Sequence, residues 1–355
     1  WKKTLSAMRL NVLVAVLPMN VFMLAYIAAH LLGNSLFRES RITIGALYVV
    51  FYYIDVLKGP VWEIRRQIED LQRAAASINR ITELRSERST ILDGPGIPPI
   101  SGPLQVNFDR VTFQYEDDPD TNILKGIDFN LQPGKTLGLL GRTGSGKTTL
   151  TKLILRLHDP VDGAIQIGTS GEKLYDLRQA QQTELRRQIA MVTQDVQIFQ
   201  ASVRQNLTLF DDSIPDERIT EVIERVGLGD WLHALPKGLD TSLEAGGSGL
   251  SAGESQLLAF GRVFLHDPGL VILDEASSRL DPATESRLEK AVAELLRERT
   301  GIIIAHRLAT VQRADEIMIL KDGRIAEHGP RAALADDPDS LFSNLLRTGL
   351  EEALV

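Results

Sequence analysis

Hydrophobic and polar positions divide the chain into two unlike parts. From residue 10 to residue 37 there is no Asp, Glu, Lys or Arg, and residues 12–33 are mostly Val, Leu, Ala, Met and Ile. As a helix this run would extend about 33 Å, enough to cross a bilayer. Pro18 lies in its first half and predicts a kink, which membrane helices tolerate when neighbours satisfy the freed carbonyl. After a polar turn, Asn34 to Arg41, a second apolar run extends from Ile42 to Leu57. A buried hairpin of a soluble protein is the competing reading. The length of the first run and its lack of charge disfavour it. Beyond Trp62 the period changes: Ile64, Ile68, Leu71, Ala75 and Ile78 recur at spacings of four and three among Arg, Glu and Gln. That pattern predicts an amphipathic helix continuing the second membrane helix, about 65 Å in all if residues 42–85 are unbroken.

Next comes Asp93-Gly-Pro-Gly-Ile-Pro-Pro-Ile-Ser-Gly-Pro103, too dense in Pro and Gly for any helix. The expected organisation is therefore a partial transmembrane domain over 1–92, a linker over 93–103 and a second domain over 104–355. Within the first, membrane helices are expected near 10–33 and 42–61, with a cytoplasmic helical extension over 62–90. In the second domain short apolar runs alternate with helical patterns, which predicts a largely parallel sheet covered by helices. Ligands in such folds sit beyond the carboxyl ends of the strands. Four runs here end in chemistry: Thr136–Leu140 at Gly141, Ile189–Thr193 at Gln194, Leu270–Leu273 at Asp274 and Glu275, and Gly301–Ala305 at His306. Four polar endings on one edge predict a site.

Charge adds orientation. Lys2, Lys3 and Arg9 precede the first run, and Lys58, Arg65, Arg66, Arg73 and Arg80 follow the second, while the turn between them holds Arg38 and Arg41 beside Glu39. The excess of cations at the two ends puts both termini in the cytoplasm. A multi-pass protein of a bacterial inner or plasma membrane is expected, with the second domain cytoplasmic. Asp55 and Lys58, three apart, read as a local pair with the lysine snorkelling to the interface, in preference to the lining of a substrate path. The chain has 355 residues, a formal net charge of −8 and no cysteine. The length suits two or three domains, the acidity argues against nucleic acid as the main partner, and the cysteine count removes disulfides and thiolate metal sites. Trp1 in place of Met, with no cleavable signal ahead of the first apolar run, suggests that the N-terminal part of a longer protein is absent.

The segment Gly141-Arg-Thr-Gly-Ser-Gly-Lys-Thr148 matches G-x-x-x-x-G-K-[ST] in full. Gly141, Gly144 and Gly146 free backbone N–H groups to turn around phosphate oxygens, and the next helix adds the positive end of its dipole. Arg142, Thr143, Ser145 and Thr149 complete the candidate contacts. Lys147 would reach the β- and γ-phosphates, and the Thr148 hydroxyl would bind Mg²⁺. Asp274 is placed to hold the metal and Glu275 to polarise the attacking water. Gln194 is a candidate metal and water ligand, and His306 a candidate γ-phosphate sensor. His30, His158, His233, His266 and His328 show no metal-ligand spacing and are assigned no chemistry. Ser251-Ala-Gly-Glu254 reads as a capping box. Glycines just before it, and the small Ala252 and Gly253, also make it a second anion-binding helix start, suited to a nucleotide held by another copy of the domain.

The order Tyr115, Gly141–Thr148, Gln194, Leu250–Glu254, Leu270–Glu275, Asp281, His306 resembles the nucleotide-binding domain of ABC transporters, and the two apolar helices resemble the last two membrane helices of an ABC exporter half. The fold this implies is an α/β P-loop NTPase domain, a mixed sheet with helices and a helical subdomain, preceded by all-α transmembrane helices. The resemblance implies ATP and Mg²⁺ as ligands and a second half-transporter as partner, identical or different, in a lipid membrane. Each ATP would lie between one P-loop and the opposite Leu250–Glu254, with Tyr115 stacked on adenine and Asp281 at the dimer interface. It implies ATP hydrolysis, with Lys147, Glu275 and His306 catalytic, driving export of a small molecule, lipid or peptide. Import through the same fold, or a regulatory half of a heterodimer, are the alternatives. Two departures stand out: Ala252 and Glu254 replace the first glycine and the glutamine usual in the signature, and Ala245 stands where a glutamate is common. Acting in trans, they would weaken the partner's site.

Overall fold

The computed structural model describes residues 2–87, 89–244, 246, 250–274, 282–305 and 311–348. The chain divides into two compact units, Trp1–Thr90 and Ile91–Val355.

The first unit is a helical pair, α1 (Lys2–Arg38) and α2 (Ile44–Ser86). Both are long and apolar enough to cross a membrane, with mean hydropathies of 1.7 and 1.4 in the spans that qualify. α1 outruns the expected turn at Asn34 and continues to Arg38. It stops where Ser40 turns left-handed (φ 56°), letting Ser40 and Arg41 N–H bond the carbonyls of Phe37 and Leu36. Thr43 then caps α2, its hydroxyl accepting from Ala46 N–H at 3.2 Å. α2 runs without a break through Pro60 for 43 residues, about 65 Å. The two helices approach closely at Gly33, where a Cβ would lie 2.2 Å from Leu47 Cδ1. Asp55 and Lys58 do pair (2.8 Å), and a third group joins them across the gap: Tyr26 donates to Asp55 at 2.6 Å and accepts from Lys58 at 3.0 Å. Asp55 lies about 17 Å along α2 from its start. In a helix that crosses a membrane, a carboxylate so far from the helix end would be tolerated only when its charge and lone pairs are answered.

The second unit holds two sheets. One is antiparallel, built from β1 (Gln105–Phe113), β2 (Leu124–Leu131), β4 (Asp162–Gly168) and β5 (Tyr175–Asp176) in the order β2-β1-β4-β5. The other takes β3 (Thr136–Gly141), β6 (Ile189–Val192), β7 (Leu270–Asp274), β8 (Thr300–Ile304), β9 (Glu316–Lys321) and β10 (Arg324–Pro330) in the order β10-β9-β3-β8-β7-β6. All its neighbouring pairs are parallel except β9–β10. Side chains alternate between two cores. Leu270, Ile272, Ile302 and Ile304 face one that includes the antiparallel sheet. Val271, Leu273 and Ile303 face the other, shared with helices including α5 (Val203–Thr208), α6 (Asp216–Arg225), α7 (Gly229–Ala234) and α8 (Ala252–His266). Burial on both faces is why these strands read as unbroken apolar runs. The four strands whose ends carry chemistry, β3, β8, β7 and β6, are consecutive and parallel, so their carboxyl ends share one edge.

Candidate functional site

The cradle starts where β3 ends. Gly141 (φ 150°) turns the chain so tightly that a Cβ would lie 2.4 Å from the Leu320 carbonyl oxygen and 2.6 Å from Ser145 Oγ. Gly144 (φ 81°) occupies open space, and Gly146 (φ 107°) forms the N-cap of α3 (Lys147–Ile154) without a side-chain cap. The first turn of α3 therefore presents amide donors to the loop. Lys147 is buried and bends back over the loop, donating to the carbonyls of Gly141 (2.5 Å) and Arg142 (3.1 Å). Burial lowers its pKa from the usual lysine value, and the negative charge of Asp274 opposes that shift. Ser145 Oγ is buried with no hydrogen-bond partner among the described residues. Orphaned hydroxyl, uncapped helix and bent lysine fit a phosphate chain, whose oxygens would satisfy all three.

Arg142, Thr143 and Thr148 are exposed, while Thr149 is buried and its Oγ1 lies 3.1 Å from the Tyr115 hydroxyl. Tyr115 meets the edges of Phe113 (5.0 Å) and His158 (5.3 Å), and the Lys152 ammonium stands 5.6 Å from its ring centre. His158 carries no chemistry on sequence grounds, and Lys152 is not among the sequence candidates. Lys152 had a readable signal, being three residues after Thr149 and so on the same face of α3. Asp274 ends β7 opposite Ile304 of β8, which in turn pairs with Leu139, two residues before Gly141. Metal and phosphate candidates thus share one sheet edge. Gln194 is exposed just past β6, whose Val192 pairs with Leu273. Glu275, Asp281 and His306 lie outside the described residues. Ser251 and Glu254 form the full capping box at the start of α8: Glu254 N–H donates to Ser251 Oγ (3.2 Å) and Ser251 N–H to Glu254 Oε2 (2.8 Å), with Ala252 and Gly253 in the first turn.

A glycine cradle with a buried lysine at the end of a central parallel strand, beside an acidic strand end, defines a P-loop nucleotide-binding domain. The ABC transporter family model matches residues 124–278. The chain is 36% identical over 301 residues, 84% of its length and 43% of the relative's, to the probable multidrug resistance ABC transporter ATP-binding/permease protein YheH of Bacillus subtilis (strain 168). It is 33% identical over 329 residues, 92% of the chain and 45% of the relative, to the mitochondrial iron-sulfur clusters transporter ATM1 of Kluyveromyces lactis. A solved bacterial Atm1-family ABC exporter with ATP bound superimposes with a TM-score of 0.68 at 28% identity, covering 98% of this chain and 59% of that one. The chain spans about half the length of the curated relatives it matches. It belongs to the ABC transporter family and is similar to exporter-type members of it.

Proposed function

We propose that this chain is part of one half of an ATP-driven exporter, binding ATP with Mg²⁺ at its P-loop and hydrolysing it against a second nucleotide-binding domain. The observation that carries the reading is Lys147, buried and held on the carbonyls of Gly141 and Arg142 with the charge of Asp274 acting on it. Phosphate oxygens would draw its ammonium off those carbonyls and take the amides of Gly144 to Thr149. Tyr115, steadied by Thr149, offers a ring face to adenine. Thr148, Asp274 and Gln194 would hold Mg²⁺, which neutralises charge on the β- and γ-phosphates. Glu275 accepts the proton of the attacking water, and His306 donates to the γ-phosphate.

The signature Ser251–Glu254 acts on the ATP of the partner, a second half-transporter, and Asp281 links the two sites. ATP favours the closed pair only as far as it binds that state more tightly than the open one, and hydrolysis resets it. α1 and α2 lie among membrane lipids, with the nucleotide domain on the cytoplasmic side where the cations flank them. The transmembrane part spans 1–92, the linker 93–103 and the nucleotide domain 104–355. Replacing Glu275 with Gln tests the assignment: turnover by the purified assembly should nearly vanish while ATP binding persists. Unchanged turnover would remove Glu275 from the chemistry.

A further inference from the structure

The Pro- and Gly-rich stretch after α2 is bound to the nucleotide domain at its first residues. Gly94 N–H donates to the Ala180 carbonyl (3.2 Å) and Gly96 N–H to the Gln179 carbonyl (2.9 Å). The Asp93 carboxylate accepts from Gln182 N–H at 2.8 Å, at the start of α4 (Gln182–Gln188), whose own N-cap residue Gln181 makes no side-chain cap bond. Gln182 Nε2 donates to the Ile91 carbonyl at 3.2 Å. The fit is close enough that a Cβ on Gly94 would lie 2.3 Å from the Gln179 carbonyl group.

One side chain joins this strap to the P-loop helix. α3 ends in a Schellman turn: Arg156 N–H bonds the Leu153 carbonyl (3.0 Å), Leu157 N–H bonds the Lys152 carbonyl (2.9 Å), and Arg156 is left-handed (φ 49°). Glycine is the residue that favours this position, because it has no Cβ to strain. Here an arginine holds it, with its side chain 3% exposed. The guanidinium fork explains the choice. Nη2 donates to the Leu92 carbonyl (2.7 Å), Nη1 to the Ala180 carbonyl (2.8 Å), and Nε to the Asp159 carboxylate (3.2 Å). A planar, permanently charged group with fixed donors locks three partners at once, and a buried charge holds them because releasing any one leaves it unanswered. The other end of the same helix, about 12 Å away, is Lys147.

We propose that Arg156 is a positioning residue that fastens the P-loop helix to the chain arriving from α2, so that nucleotide bound at one end of α3 is felt at Leu92 through the other. The transmission half of this rests on the proposed ATP site; the fastening half does not.

The chain has no cysteine, and Leu92 exposes its side chain (73%), so a spin label at Leu92→Cys in the full chain, in lipid nanodiscs, reports on the strap alone. With Arg156 intact the label should give an ordered spectrum that changes on adding non-hydrolysable ATP. Arg156→Gly suits the helix end better than arginine does, so it preserves α3 while deleting the fork. In that variant the label should become mobile and deaf to nucleotide, with ATP affinity kept within about twofold because the two ends of α3 share no partner. Arg156→Lys, which can hold one carbonyl but not three partners, should recover part of the order. Gly94→Ala attacks the strap from the other side and should free the label without touching α3. If Arg156→Gly leaves the spectrum and its response as in the parent, the inference is overturned. If ATP binds the parent but the spectrum does not respond, transmission is overturned. If ATP fails to bind the parent, the proposed function falls, and the mobility comparison still decides whether Arg156 fastens the strap.

Discussion

At the scale of single residues, the three loop glycines of the P-loop make unequal demands. All three have left-handed backbones, but only at Gly144 is the space beyond Cα empty. Gly144→Ala meets strain alone and should cost about 1 kcal/mol of stability, with a weakened nucleotide response that persists. At Gly141 the added methyl would overlap the Leu320 carbonyl, which belongs to β9, so the loop must leave its strand neighbour. Gly141→Ala should therefore abolish the rise in melting temperature that ATP gives the parent chain. Equal effects at the two positions would mean that the amides of the loop, and not its close approach to β9, set the site. The P-loop was legible because its requirements are local: each glycine is demanded by a turn a few residues long, and Lys147 sits on the helix the turn begins. The neighbours of Tyr115 were harder, since Thr149 lies 34 residues away, and the packing of His158 against Phe113 and Tyr115 requires β1 and the end of α3 to be adjacent first.

Among the elements, the start of α8 carries a structural role beside the one proposed for it at the nucleotide. Its capping box satisfies two of the amides that any helix leaves open, which is a sufficient structural role. Its acceptor at Ser251 N–H, however, is the carboxylate of Glu254, and a carboxylate at the positive end of a helix already answers the dipole that would draw a phosphate. Glu254→Gln keeps an oxygen for the Ser251 amide and removes the charge. In the assembled transporter it should tighten ATP held against this helix by about 0.5–1 kcal/mol, read as a lower dissociation constant by nucleotide titration. An unchanged constant would return α8 to the capping role alone. Ser251 and Glu254 were readable because their contact spans three positions of one helix. The apolar strands β3, β6, β7 and β8 were readable because burial on both faces leaves no alternation to confuse them. What stayed hidden was held by distant partners. The stretch 93–103 reads as a linker from composition, yet Asp93 caps a helix 89 residues on, and Arg156 reaches Leu92 across 64. Nothing in the local pattern of Leu155-Arg-Leu157 announces that bond. The polar contact of Tyr26 with Asp55 and Lys58 was half legible: the i, i+3 pair could be read, the tyrosine from the other helix could not.

For the whole molecule, the proposal that the P-loop and the start of α8 both meet phosphate bears directly on assembly. On the proposed reading Lys147 and the start of α8 both meet phosphate, although one P-loop encloses the phosphates of one nucleotide. On that reading two features and one nucleotide per chain would be reconciled by a twofold pair, in which each copy lends its helix start to the other. Loss of either feature should then be repairable by a second chain that carries it. Lys147→Ala removes the cradle and spares α8; Ser251→Arg blocks the helix start and spares the cradle. Each variant alone should be inactive as an ATPase. Mixed in equal amounts and reassembled, half of the pairs combine the two, and each such pair has one complete site, so turnover should return to at most about a quarter of the parent level. Recovery would also fix the partner as a second copy of this chain. If the parent is active alone and the mixture stays silent, the site is not shared between copies; if Ser251→Arg alone keeps full turnover, the helix start of α8 has no part in hydrolysis. If the parent itself is silent until a different half-transporter is supplied, Ser251→Arg should still suppress hydrolysis at that partner's P-loop while leaving ATP bound at Lys147 of this chain.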